Sequence, residues 1–120
     1  MKPWRVLVPV DFGGASLAAV CYAQEIAQLA RSQVFLLHVI EPVDAARRER
    51  QAAGTTPRDR RLNAYYNLAS VIAECGLNPF QVTAVVRRGT PVEVIIDYAD
   101  EIGADFIVMG PQVRSEPQRS

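Results

Sequence analysis

Four stretches of this chain are apolar at nearly every position, and amphipathic stretches separate them. Val6-Leu7-Val8-Pro9-Val10 has no polar member before Asp11 and is followed by Phe12-Gly13-Gly14. A run without alternation predicts a strand covered on both faces, as in the interior of a parallel sheet. Gln33–Ile40 repeats the pattern and is stopped by Glu41-Pro42, so a second buried strand is expected there. Gln81–Arg88 alternates weakly and ends in two arginines, which suits a third strand nearer the sheet edge. Asp105–Met109 reads as a fourth buried strand running into Gly110.

The intervening segments carry helical periodicity. From Ser16 to Arg31 the polar residues Gln24, Glu25, Gln28 and Arg31 form one stripe, leaving the apolar side for the sheet. From Asp59 to Cys75 the residues Leu62, Tyr65, Tyr66, Ala69, Ile72 and Ala73 are expected on the packing side, with Gly76 as the stop. This stripe places the two tyrosines at the core or its rim, not on a ligand. Thr90-Pro91-Val92-Glu93 reads as a capping box with proline at the first helical position. The helix it opens is expected to bury Val92, Ile95, Ile96, Ala99 and Ile102 and to end at Gly103.

Two segments fall outside this alternation. Val43 to Arg61, with Arg47, Arg48, Arg50, Arg58, Arg60 and Arg61, reads as a surface connection with short helical stretches. Its arginines suit solvent better than a phosphate or acidic partner. Residues 111–120 are polar and interrupted by prolines, so they read as a flexible tail beyond an α/β domain of residues 1–110. Four strands alternating with three helices give an α/β fold. It is a three-layer, Rossmann-like open parallel sheet with helices on both faces.

Composition narrows the function classes. The 49% hydrophobic and 22% charged residues suit a soluble globular domain. The formal net charge of zero gives no basic field for nucleic acid or an anionic membrane. No apolar run approaches the roughly 20 residues that span a bilayer, and Met1-Lys2-Pro3-Trp4-Arg5 leads straight into a strand, which points to a cytoplasmic protein. Cys21 and Cys75 have neither CxxC nor Cys/His metal spacing, so they are expected to be reduced core residues, and no metal site is expected.

Ligands of open parallel sheets bind at the carboxyl ends of the central strands. Asp11 stands at such an end, and Val39 and Met109-Gly110 stand at the corresponding ends of two other strands. A second reading makes Asp11 or Ser16 the cap of the next helix. His38, the only histidine, has no acid-base partner at a useful spacing and reads as a neutral structural residue. No nucleophile and base are spaced for catalysis, so no catalytic residue is assigned and the chain is expected not to be an enzyme.

Val6-Leu7-Val8-Pro9-Val10-Asp11-Phe12, Leu37-His38-Val39, Arg88-Gly89-Thr90-Pro91 and Ala104-Asp105-Phe106-Ile107-Val108-Met109-Gly110 occur in that order. By these marks the chain resembles the universal stress protein family from Arg5 to Gly110. The resemblance implies the adenine nucleotide alpha hydrolase-like variant of the fold and an adenine nucleotide site at the strand ends. Pro9 and Asp11 would shape the adenosine pocket, Val39 would offer its backbone to the adenine edge, and Met109 and Gly110 would begin the wall beside ribose and phosphates.

The sequence also departs from the family pattern. ATP-binding members follow the glycine after the fourth strand with a second glycine three residues on, then a later glycine and hydroxyl residue. Here Pro111 follows Gly110, Val113 stands at the second glycine's position, and the sequence ends at Ser120. Proline lacks an amide donor and valine resists the positive φ of a phosphate nest. The family's last helix and strand, which often form its dimer contact, are also expected to be missing.

The expectation is a non-enzymatic cytoplasmic stress-response protein acting through self-association, as a homodimer, or another protein partner. It requires no cofactor, and its binding of ATP or AMP is weak or lost. The alternative is an ATP- or AMP-binding switch or slow ATPase. An adenylating enzyme is the third and weakest reading.

Overall fold

The computed structural model describes residues 2–42 and 56–110. Element order is β1 (Trp4–Pro9), α1 (Gly14–Leu29), β2 (Ser32–Ile40), α2 (Pro57–Cys75), β3 (Val82–Arg88), α3 (Pro91–Ile102) and β4 (Phe106–Ile107). All strand pairs are parallel and the sheet order is β3-β2-β1-β4. The expected connection through residues 43–55 and the expected tail at 111–120 lie outside the described residues.

Alternation of side chains across the sheet divides the core in two. Val6 and Val8 of β1, Val34 and Leu36 of β2 and Val86 of β3 pack with Ala19, Val20 and Ala23 of α1 and Ala64, Leu68 and Val71 of α2. Leu7 and Leu37 point the other way and meet Tyr98 of α3, with Phe35, Val39, Val85 and Ile95 around them. Among the described residues two helices therefore cover one face and one helix covers the other, which is the three-layer arrangement that the unbroken apolar runs require. β1 is interior and Val6, Leu7 and Val8 are fully buried.

Several local expectations are corrected. β4 is a two-residue strand at the sheet edge, with Phe106 51% and Ile107 43% exposed, not a buried strand. Among the described residues it has one strand neighbour, and its apolar sequence alone cannot reveal that. On α2 the buried stripe is Ala64, Leu68 and Val71, whereas Leu62, Tyr65 and Tyr66 are exposed. Tyr65 instead reaches the outer edge of β3, where its hydroxyl oxygen accepts the Val86 amide at 3.3 Å. On α3 the buried residue is Tyr98, while Val92 and Ile96 are exposed.

The capping box also sits elsewhere. Thr90 makes no side-chain cap bond, although α3 starts at Pro91 as expected. The reciprocal box forms at α2, where Thr56 accepts the Asp59 amide at 3.0 Å and Asp59 accepts the Thr56 amide at 3.2 Å. A cap of this kind contributes about 1 kcal/mol. It lets α2 begin at Pro57, two residues before the expected start.

Cys21 and Cys75 are not separate reduced residues. They form a disulfide that joins α1 to the end of α2, with Cα atoms 5.3 Å apart. The two helices lie side by side on one sheet face, so residues 54 positions apart in sequence become neighbours.

Candidate crevice at the carboxyl ends of the strands

β1 is held on both sides up to its end, since the Val10 amide donates to Leu37 at 2.8 Å and the Val108 amide donates to Leu7 at 2.9 Å. Immediately beyond, Phe12 adopts a left-handed conformation with φ 67°. A non-glycine residue there is disfavoured by roughly 1 kcal/mol or more, so something must hold it. Its ring packs on the core beneath α1 and α2, and its centroid lies 4.5 Å from that of His38.

This turn reverses the chain around Asp11. The Asp11 Oδ1 accepts the Gly13 amide at 2.8 Å, and the Asp11 amide donates to Ser16 Oγ at 3.3 Å. Hydrogen bonding to the Gly13 amide, followed by Ser16, holds the Asp11 carboxyl below the usual carboxylate range, so it is ionised at neutral pH. Neither Asp11 nor Ser16 caps α1. Its N-cap is Gly13 with no side-chain cap bond, and the Ser16 hydroxyl donates to the Gly13 carbonyl at 3.1 Å.

His38 has the structural role expected of it. Its Nδ1 lies 2.7 Å from the Val10 carbonyl oxygen. A carbonyl can only accept, so Nδ1 carries the proton and ties the end of β2 to the turn after β1.

The five residues singled out in the sequence, Pro9, Asp11, Val39, Met109 and Gly110, all line one crevice of about 770 Å³. That volume is in the range of small-molecule sites. Val10, Leu37 and His38 at the strand ends, Gly13 to Ser16 at the start of α1, Glu41 after β2, and Pro91, Val92 and Ile95 of α3 also line it. Glu41 could have been found by the argument that found Asp11, because it too follows the carboxyl end of an interior strand. The α3 residues could not, because the side they present depends on how that helix rotates on the sheet.

Gly110 is fixed by space. A Cβ added there would collide with the backbone carbonyl of Ala15, so the chain leaving β4 runs directly against the first turn of α1. A Cβ at Gly14 would meet nothing.

Chemically, the crevice offers apolar walls, helix-start backbone and two carboxylates, Asp11 and Glu41. Carboxylates suit hydroxyl and amino donors, such as those of a ribose or a base. Among the described residues no lysine or arginine lines it, so nothing there neutralises a chain of phosphates. Among the described residues no cluster of His, Cys, Asp and Glu could hold a metal, and no helix is long and apolar enough to cross a membrane.

By sequence, residues 4–120 match the universal stress protein family. The fold is similar to that of universal stress protein UspA from Lactobacillus plantarum, with a TM-score of 0.69 at 23% identity, covering 100% of this chain and 85% of that one. Protein Rv1636 from Mycobacterium tuberculosis H37Rv gives a TM-score of 0.69 at 21% identity, with 97% and 78% covered. A universal stress protein solved in complex with cAMP gives 0.60 at 21% identity, with 91% and 73% covered. No curated protein matches significantly.

Proposed function

Because the chain belongs to the universal stress protein family, we propose that it is a non-enzymatic stress-response protein that works through self-association and binds adenine nucleotides weakly, through the nucleoside. The observation that carries the nucleotide part is the charge of the crevice. Asp11 and Glu41 are its only charged side chains among the described residues. An anionic wall favours a neutral nucleoside or a single phosphate over a triphosphate. The relative solved with cAMP holds a ligand with one phosphate, which supports the same ligand class here.

Calorimetric titration with adenosine, AMP and ATP tests this. Adenosine and AMP are expected to bind weakly and ATP no more tightly than AMP. Asp11→Ala is expected to weaken AMP at least tenfold, as losing a hydrogen bond to a charged group costs about 1.5–3 kcal/mol. ATP binding tenfold tighter than AMP would turn the assignment to the alternative, a nucleotide switch or slow ATPase.

The sheet edges support the self-association part. At β3 the Tyr65 hydroxyl covers an edge amide, and Arg87 is tied to Glu101 by two hydrogen bonds of 3.3 and 3.0 Å. Such features protect an edge from strand addition. At β4 the exposed side chains are apolar, with the Phe106 ring tilted against Trp4 at 5.3 Å between centroids, Trp4 itself 47% exposed, and Met109 beyond. A second copy of the chain placed against β4 would bury these residues across a two-fold axis. Sedimentation is expected to find a concentration-dependent dimer that Ile107→Lys abolishes without altering AMP binding. A wild-type monomer at every concentration would defeat the proposal.

A further inference from the structure

Apart from the crevice, a second cavity lies between the start of α2 and the carboxyl ends of β2 and β3. Arg60 and Arg61 from α2 and Arg88 from β3 line it over an apolar floor of Ile40 and Val86, and Arg87 borders it with its guanidinium turned to the other sheet face, against Glu101 and the Tyr98 ring. It shares no lining residue with the crevice. We propose that this cavity binds a phosphoryl group.

The charge of Arg60, Arg61 and Arg88 is uncompensated among the described residues. The chain as a whole is neutral, yet among the described residues no carboxylate lines this cavity. Asp59, next to Arg60 in the chain, is engaged with the Thr56 amide, and Glu101 is taken up by Arg87. Arg60, Arg61 and Arg88 have no ion-pair partner among the described residues. Moreover, Arg60 and Arg61 stand near the N-terminus of α2, where the helix dipole opposes cations and favours anions.

One donor is left waiting. The Arg60 Nε is buried and has no hydrogen-bond partner among the described residues. A buried donor left unpaired is costly, whereas a phosphate oxygen would satisfy it. Guanidinium forks match the geometry of phosphate oxygens, and the apolar floor strengthens the attraction by lowering the local dielectric.

Size narrows the ligand. The cavity is about 50 Å³, room for three to five water molecules at roughly 10–15 Å³ each. That suits one phosphoryl group and excludes a nucleoside. The source of the group is either free phosphate or a phosphate ester whose remainder stays in solvent.

The test is calorimetric titration with inorganic phosphate and pyrophosphate, and with AMP as the ester. Saturable pyrophosphate binding is expected, weakened at least tenfold in Arg60→Gln/Arg88→Gln and unchanged in Asp11→Ala. Arg88→Gln alone, at an exposed strand end, keeps the test valid if the double variant folds poorly. AMP binding lost in Asp11→Ala while pyrophosphate binding persists would mark free oxyanion as the ligand. Retention of AMP binding in Asp11→Ala with its loss in the arginine variant would mark the ester. Absence of saturable phosphate or pyrophosphate binding, binding indifferent to the arginine substitutions, or pyrophosphate binding lost in Asp11→Ala would each overturn the proposal.

Discussion

Cys75→Ser is expected to lower the free energy of unfolding by about 4 kcal/mol, because a cross-link between residues this far apart removes that order of entropy from the unfolded chain. The disulfide closes a loop with a sequence separation of 54 and ties α1 to α2 above the larger part of the core. Denaturant unfolding with and without a thiol reductant measures the effect. The wild type should lose stability on reduction and the variant should not respond. An unchanged wild-type midpoint would show that Cys21 and Cys75 are unlinked thiols, as their spacing in the sequence first implies. Neither cysteine lines the crevice, so AMP binding by Cys75→Ser should persist wherever the protein remains folded.

Gly110→Val is expected to cost about 3 kcal/mol, the upper part of the usual range for overpacking. The atom that obstructs a side chain at Gly110 is the backbone carbonyl of Ala15, which cannot rotate away as the end of a flexible side chain can. Either the segment after β4 or the first turn of α1 must move, and both border the crevice. AMP binding should therefore fall together with stability. Gly14→Ala supplies the contrast, since its added methyl meets nothing and both measurements should stay near wild type. A stable Gly110→Val protein with unchanged AMP binding would show that the chain after β4 does not rest on α1.

Legibility varied with the kind of signal. The β1 run was read correctly because burial on both faces leaves no room for a polar residue, and Val6, Leu7 and Val8 carry that mark individually. The carboxyl-end rule then located Asp11, Val39 and Met109-Gly110, and the structure gathers them with Pro9 in one crevice. Reading helix faces worked less well. Leu62, Tyr65 and Tyr66 are apolar enough to suggest the core, yet Ala64 and Leu68 hold it. The small Ala64 lets α2 lie close, and Tyr65 keeps its hydroxyl at the rim, where the Val86 amide needs an acceptor. The Thr90 box had the right residues but made no side-chain bond, while Thr56 and Asp59 formed the box at the other helix.

The sequence by itself determined the α/β class, the four strands, the interior place of β1 and the end of the sheet where a ligand would sit. These follow from which residues tolerate burial and from the parallel connection of strands through helices, both of which are local properties of the chain. Only the tertiary structure decided the disulfide, the edge position of β4, the left-handed turn at Phe12, the contact of Gly110 with Ala15 and the meeting of α2 arginines with those of β3. Each joins segments distant in sequence or depends on how an element rotates on its neighbours, and no periodicity along a single chain encodes either.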